Sequence, residues 1–246
     1  MLFRSELTQI AENPGNITGW LTDHDGRLRV AYETDGVNSS LLYRPTEKDE
    51  FKTLVTTNFK DSFLPLMFGY DNKLLYVASN LGRDKIAVYT FDPDANKTRD
   101  LVFEHPDVDV ASLISSKKRK VITGVVYTTD KSRYHFFDKD RKELQDTLEK
   151  FFPGYEVAVT GMDDDERRAT VRVYGDRTRG GSYLFDRQSN SLTKLADHSP
   201  WLKETEMAPM EPIQYTSRDG LTIHGYLTLP LGVADRKSTR LNSSHW

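Results

Sequence analysis

The sequence of 246 residues contains no cysteine, and this absence excludes several kinds of chemistry. Without sulfur the chain has no disulfide framework, no Cys-based zinc site and no thiol nucleophile. It also lacks an apolar run of the roughly 18 residues that a membrane-spanning helix requires. Its 34 basic and 37 acidic residues leave a net charge of −3, which gives the chain no general attraction for nucleic acid.

Large aromatic side chains are plentiful, with 12 Phe, 12 Tyr and 3 Trp, and they indicate a globular protein rather than a disordered one. The first six residues, 1–6, reach an acidic residue without the apolar core of about 7–15 residues that a signal peptide has. We therefore predict a cytoplasmic location. A periplasmic location stays open, because the true N-terminus is predicted to be missing.

An internal repeat of about 46 residues organises most of the chain. Phe-Asp pairs begin at Phe91, Phe137 and Phe185, so that successive pairs are 46 and 48 residues apart. A second landmark keeps the same period: polar turns occur at Asp25-Gly26, Asp71-Asn72, Lys117-Lys118 and Asp164-Asp165. Two independent landmarks with one period predict a repeat architecture.

Each repeat unit is predicted to contain four short β-strands joined by tight turns. Four antiparallel strands in about 40–50 residues are typical of a β-propeller blade. The predicted fold is all-β, a partial propeller of about four four-stranded blades, with 1–16 as the end of an earlier blade. The blades are expected at 17–56, 57–106, 107–152 and 153–200. A β-sandwich is the rival fold, but it gives no reason for the Phe-Asp pairs to recur.

The Phe-Asp pair is interpreted as a packing and turn element. The Phe is expected to fill the layer between blades. The Asp is expected to accept hydrogen bonds from the backbone of the following turn, as Asp and Asn commonly do.

The character of the sequence changes after residue 200. Residues 201–208 are compatible with one or two helical turns, and Pro209 and Pro212 then interrupt regular structure. Asp219-Gly220 lies between two alternating β-runs, which predicts a hairpin. Residues 201–232 are therefore predicted to be a linker and the first hairpin of a second domain.

That hairpin carries a family resemblance. Residues 217–230, SRDGLTIHGYLTLP, resemble the entry to the hydrolase domain of prolyl oligopeptidase-family serine peptidases, in the dipeptidyl aminopeptidase and acylaminoacyl-peptidase branch. The resemblance implies a propeller followed by an α/β-hydrolase domain that hydrolyses short peptides through an acyl-enzyme on Ser. It also implies that the propeller gates access to the active site. The expected partners are a peptide substrate and the hydrolase domain, with no nucleic acid and no membrane.

The catalytic motif of that family is not found in this sequence. An α/β-hydrolase presents its nucleophile in a G-x-S-x-G turn, and the nearest segment, Gly180-Gly181-Ser182-Tyr183-Leu184, lacks the final glycine. No catalytic residue is therefore assigned, and the chain alone is expected to be an inactive fragment of a serine peptidase. Residues 233–246 are interpreted as a non-native tail, with a native polar tail as the alternative.

Two arginines are candidates for facing the substrate. Arg177 and Arg179 lie beside Gly180-Gly181 in a segment interpreted as a loop between strands, and a guanidinium suits a peptide carboxylate or carbonyl. A tight surface hairpin is the alternative. No metal or cofactor is expected, because the six His occur in no ligand spacing and the acidic run 163–166 lacks a calcium-loop pattern.

Two other functions remain open at this point. One is a non-enzymatic binding propeller resembling the periplasmic translocation protein TolB. The other is a propeller enzyme with a metal at its channel, against which the lack of clustered ligands counts. The hairpin at 217–230 favours the peptidase, because a free-standing propeller does not need it.

Overall fold

The computed structural model describes residues 8–110 and 112–232 of the chain. The predicted tail at 233–246 lies outside these residues, as does the part of the predicted earlier blade at 1–7, and residues 8–16 form no strand. The chain divides into two compact units, one ending at Phe137 and the other beginning at Asp138. No helix in the described part combines the length and the apolar character that crossing a membrane demands.

The first unit contains three antiparallel sheets, in which each strand pairs with its neighbour in sequence. The first sheet has the strands β1 (Ile17–Thr22), β2 (Leu28–Thr34), β3 (Ser39–Tyr43) and β4 (Lys52–Thr57). The second sheet has β5 (Phe63–Phe68), β6 (Leu75–Ser79), β7 (Ala87–Asp92) and β8 (Lys97–Phe103). The third sheet has β9 (Ser112–Ser116), β10 (Val121–Thr128) and β11 (Ser132–Phe136).

The second sheet is covered on both faces. Since side chains alternate along a strand, Leu75 and Val77 of β6 lie on one face and pack with residues of the first sheet. Tyr76, on the other face, packs in a second cluster with Val110 and Val125 next to the third sheet. Burying each such aliphatic side chain contributes about 1.5–3 kcal/mol. The sheets of the first unit are therefore layered face to face like propeller blades.

The turn between the first and second strands has the same backbone geometry in each of the four repeat units. The residue in the left-handed region is Gly26 (φ 80°), Asn72 (φ 59°), Lys120 (φ 55°) or Glu166 (φ 54°). Glycine and asparagine tolerate this region, whereas Lys and Glu adopt it less often. The repeat predicted from the sequence is therefore also a repeat of backbone conformation.

The third repeat unit differs from the prediction of four strands. After β11 the chain forms the helix α1 (Lys139–Phe151), where a fourth strand was expected. Asp138 caps this helix, because its Oδ1 accepts a hydrogen bond of 2.8 Å from the backbone N–H of Arg141. Leu144 and Leu148 are buried on one face of α1, so the segment has helical rather than alternating periodicity.

The Asp of each Phe-Asp pair accepts backbone hydrogen bonds as predicted. Asp92 accepts from the N–H of Ala95, and Asp186 accepts from the N–H of Gln188, both at 2.9 Å. The backbone hydrogen bond from Ser189 is the largest cause that lowers the pKa of Asp186, and the bond from Gln188 adds to it. In the pair Phe137-Asp138 the Asp side chain caps the start of a helix instead of closing a hairpin turn.

The packing role of the Phe holds in two of the three pairs. Phe91 and Phe185 are each 2% exposed and belong to the cores of their sheets. Phe137 is 44% exposed, so the expectation that it fills a layer between blades is wrong. The change to a helix at Asp138 gives the physical reason, because no fourth strand follows to continue the blade.

The second unit contains α1, a four-stranded sheet and a hairpin. The fourth sheet has β12 (Glu156–Met162), β13 (Arg168–Gly175), β14 (Thr178–Asp186) and β15 (Ser191–Asp197). A linker with a 3-10 turn at Glu204–Glu206 leads to β16 (Met210–Thr216) and β17 (Thr222–Thr228). The 3-10 turn is shorter than the predicted helical turns, whereas the predicted hairpin is confirmed, with Gly220 at φ 85° in its turn.

One face of the fourth sheet packs on α1. Leu144 and Leu148 of the helix share a core with Val157, Val171 and Phe185 of the sheet. The helix therefore buries this face in place of another sheet. The separation of a second domain at residue 200 stays a prediction.

Candidate functional site at the exit edge of the sheets

Strand order alone determines which turns share an edge of each sheet. In a four-stranded antiparallel meander, the start of the first strand, the turn between the second and third strands and the end of the fourth strand lie at the same end of the strands. This end is an edge of the sheet that strand ends and turns form, and not an outer strand. We call this the exit edge, since the chain leaves the sheet there. In the fourth sheet the register confirms it: Glu156 pairs with Tyr174, Gly175 with Thr178, and Gly181 with Asp197.

The exit edge of the fourth sheet holds the linker that follows it. The carboxylate of Glu204 accepts a hydrogen bond of 2.7 Å from the Tyr155 hydroxyl and lies 3.3 Å from Nη2 of Arg177. The backbone N–H of Met210 donates to Oδ2 of Asp176 at 2.9 Å. The hydrogen bond to Glu204 raises the pKa of Tyr155, because a nearby carboxylate disfavours the phenolate.

The two predicted arginines occupy different positions at this edge. Arg177 lies in the two-residue turn between β13 and β14, and it is engaged by Glu204. Arg179 is already part of β14, is exposed, and has no polar partner in the part of the chain that the structure describes. Residues 178–181 are therefore strand rather than loop, which corrects the interpretation of this segment.

Gly180 gives the physical reason for this difference. It adopts φ 68°, and a Cβ at this position would lie 1.7 Å from the carbonyl oxygen of Val173. The glycine therefore marks a close approach of two strands at a bulge, and not a flexible loop.

A cleft of about 480 Å³ lies at the exit edges of the second and third sheets. Its lining consists of Lys85, Asp107, Val108, Asp109, Ser112, Val126, Tyr127 and Thr128. Asp109 is fixed by a hydrogen bond of 2.7 Å from the N–H of Ile86. Sequence reasoning missed this cleft, although the repeat could have indicated it, since Lys85 and residues 107–109 follow the second and fourth strands of one unit and residues 126–128 end the second strand of the next.

The cleft presents both charges and an aromatic surface. The ammonium group of Lys85 lies 3.2 Å from Asp84, and the carboxylate of Asp107 has no partner among residues 8–110 and 112–232. The ring of His105 packs against Tyr127 with centroids 4.8 Å apart, and Nδ1 of His105 accepts from the N–H of Asp107. Such a surface suits a polar ligand that carries both an amine and a carboxylate.

Ser182 and His198 form a hydrogen-bonded pair that the sequence analysis did not anticipate. The Ser182 hydroxyl lies 3.0 Å from Nε2 of His198. Ser182 is in the middle of β14, paired with Arg172 on one side and Ala196 on the other, rather than on a sharp turn. In the described part no carboxylate orients the His198 ring, so this pair lacks the third group of a catalytic triad.

The acidic run 163–166 has a structural role. Oδ1 of Asp163 accepts hydrogen bonds from the N–H groups of Arg167 and Arg168, at 2.7 and 3.0 Å. These bonds lower the pKa of Asp163, the one from Arg168 most strongly. Across the described ranges, no three His, Cys, Asp or Glu side chains are grouped to hold a metal ion.

The fold and the layered four-stranded sheets define a β-propeller protein, and comparisons with known proteins support a more specific resemblance. No family model matches the chain. Dipeptidyl aminopeptidase BIII of Pseudoxanthomonas mexicana is 25% identical to it over 225 residues, which cover 91% of this chain and 32% of that protein. The chain therefore spans about a third of the length of the curated relative that it matches.

Comparison with solved structures shows the same fold. A prolyl endopeptidase structure matches with a TM-score of 0.60 at 18% identity, covering 92% of this chain and 33% of that one. Puromycin hydrolase matches with a TM-score of 0.59 at 16% identity, covering 86% and 33%. Prolyl oligopeptidase B from Galerina marginata, bound to a 25mer macrocyclization substrate, matches with a TM-score of 0.57 at 14% identity, covering 85% and 30%. The resemblance to prolyl oligopeptidase-family peptidases, in the dipeptidyl aminopeptidase branch, is confirmed.

Proposed function

We propose that this chain is the propeller part of a prolyl oligopeptidase-type serine peptidase, and that the exit edge of its fourth sheet lies on the path of short peptides to the active site. The reaction is hydrolysis of a peptide bond through an acyl-enzyme on a Ser of the hydrolase domain. The catalytic residues belong to the longer parent protein. The propeller restricts substrates by size and contributes polar groups to the cavity.

One observation carries this proposal: the chain leaves the fourth sheet at its exit edge and runs directly into the β16–β17 hairpin. The linker from 198 to 209 is held at this edge by the contacts of Glu204 and Met210, so the hairpin begins at the exit edge. The hairpin sequence resembles the entry to a hydrolase domain. Arg179 lies at the same exit edge of the fourth sheet, which supports its contact with substrate.

The identity of the parent protein is tested at the gene. The reading frame of the source locus is sequenced beyond the codon for Ala234, and the complete protein is expressed beside the 246-residue chain. A fluorophosphonate probe should label the complete protein at one Ser within a G-x-S-x-G motif, and the protein should release dipeptides from chromogenic substrates. If the native frame ends at Trp246, the peptidase proposal fails.

The role of the exit edge is tested in the complete protein. Arg179→Ala should raise KM for short peptides about fivefold or more, since an Arg contact to a carboxylate or carbonyl is lost. Arg167→Ala is the matched control, because Arg167 is an exposed arginine at the opposite edge of the same sheet, where it forms an ion pair with Asp165. Equal effects of the two substitutions would contradict the placement of substrate at the exit edge.

A free-standing binding propeller resembling TolB is not favoured. It explains neither the hairpin after the fourth sheet nor the similarity to a dipeptidyl aminopeptidase over 91% of the chain. The cytoplasmic location stays a prediction.

A further inference from the structure

One carboxylate in the linker joins two separate segments of the fourth-sheet edge. Oε2 of Glu204 accepts a hydrogen bond of 2.7 Å from Tyr155, which directly precedes β12. Oε1 of Glu204 lies 3.3 Å from Nη2 of Arg177, in the turn between β13 and β14. We call these three residues the linker anchor.

The conformation of the linker presents Glu204 to this edge. Residues 204–206 form a 3-10 turn, and the N–H of Met207 donates to the carbonyl of Glu204 at 3.2 Å. A second attachment follows where Met210 begins β16 and donates to Asp176 at 2.9 Å. Between these two attachments only residues 205–209 remain, so release of Glu204 detaches this segment from the edge as far as Met210.

The contacts of the anchor are partly open to solvent. The side chains of Arg177 and Glu204 are 44% and 33% exposed, so water and salt weaken their attraction. Such contacts hold a segment without fixing it permanently. The anchor therefore has the properties of a reversible conformational element rather than of a core interaction.

We propose that Glu204 is a positioning residue that holds the linker on the exit edge and thereby sets where the β16–β17 hairpin begins relative to the fourth sheet. While Glu204 engages Arg177, Nη2 of that guanidinium faces a carboxylate of the linker, and opening of the anchor leaves this charge without that partner. This proposal concerns the folded chain itself and does not depend on the proposed peptidase function.

Hydrogen exchange of the 246-residue protein tests the anchor directly. Glu204→Ala should speed the exchange of the Met207 and Met210 amides about fivefold, because two charge-assisted contacts are lost. Tyr155→Phe should give about a twofold increase, since it removes only the hydroxyl. Glu206→Gln is the matched control, because Glu206 lies in the same 3-10 turn but pairs with Lys203 within the linker at 2.9 Å.

Three results would overturn the proposal. The first is unchanged exchange at Met207 and Met210 in Glu204→Ala while β12–β15 stay protected. The second is an equal increase in the Glu206→Gln control. Glu204→Ala could lose protection throughout the sheet, and Tyr155→Phe and Arg177→Ala then replace it as the test. The third result that would overturn the proposal is wild-type exchange at Met207 and Met210 in both of these variants. The double variant Tyr155→Phe with Glu204→Ala should exchange like Glu204→Ala alone, since both substitutions act through the same carboxylate.

Discussion

Arg29 of the first sheet donates a hydrogen bond of 2.7 Å to the carbonyl oxygen of Asn72, which occupies the corresponding turn of the second sheet. The side chain of Asn72 returns the contact, since its Oδ1 accepts from the N–H of His24 at 2.9 Å. Equivalent turns of neighbouring blades are therefore bound to each other. Turns that are one repeat apart in the sequence are therefore in contact in the structure.

The buried charge of Arg29 should be important for stability. Its side chain is 11% exposed and lies 3.6 Å from Asp23, which is 1% exposed. Arg29→Met would leave Asp23 without a cation and should cost roughly 3–5 kcal/mol in urea unfolding. Arg27→Met is the control, because Arg27 is 60% exposed and its ion pair is with Asp25, which is also exposed, and it should cost less than about 0.5 kcal/mol. Similar losses for both would show that Arg29 is not needed to balance Asp23.

Tyr43 should ionise at unusually high pH. Burial is the main cause that raises its pKa from 10.0 to about 12, the hydrogen bond to Asp94 adds to it, and the charge of Arg29 opposes it only in part. Because the folded-state pKa lies above the unfolded one, this contribution to stability is complete below pH 10 and is lost as the pH rises from 10 to about 12.

The test is an ultraviolet titration of the tyrosines. Tyr43→Phe should lack one ionisation step with a midpoint near 12. Asp94→Ala should move that step toward lower pH, since the carboxylate that disfavours the phenolate is gone. A missing step at the ordinary tyrosine pKa would refute the prediction.

Gly180 should not tolerate a side chain. A Cβ would meet the carbonyl oxygen of Val173 at 1.7 Å, and the backbone is at φ 68°. Gly180→Ala should cost about 3 kcal/mol or more, measured by thermal or urea unfolding. Gly154→Ala is the control, since Gly154 has φ 88° with open space around it and should cost about 1 kcal/mol. Comparable losses would mean that the close strand approach is absent.

Asp138 should stabilise α1 through its side-chain oxygen. Asp138→Ala removes the acceptor for the N–H of Arg141 and should lower stability by about 1 kcal/mol, with a loss of helical circular dichroism. Asp138→Asn keeps the acceptor and should lose only a few tenths of a kcal/mol. A full loss in the Asn variant would assign the effect to charge rather than to capping.

The repeat made most of the fold predictable, because its turns recur in the sequence where the backbone needs them. The helix α1 was missed, since Asp92 and Asp186, which correspond to Asp138 in two other units, close hairpin turns, and only the residues that follow distinguish the two outcomes. The pairing of Arg177 with Glu204 could not be foreseen either. These residues are far apart in sequence, and nothing in the local pattern shows that the linker returns to the sheet edge. The cleft at Asp107 depends on two repeat units meeting, which periodicity implies but does not locate.

In the described part of the chain, each strand pairs only with the strand before or after it in sequence. Short loops close quickly and at low entropic cost, so such a topology favours rapid folding. A sheet of this kind can complete as soon as its own residues have left the ribosome, without waiting for later ones. Synthesis can therefore deliver the blades one after another, each offering a finished face to the next.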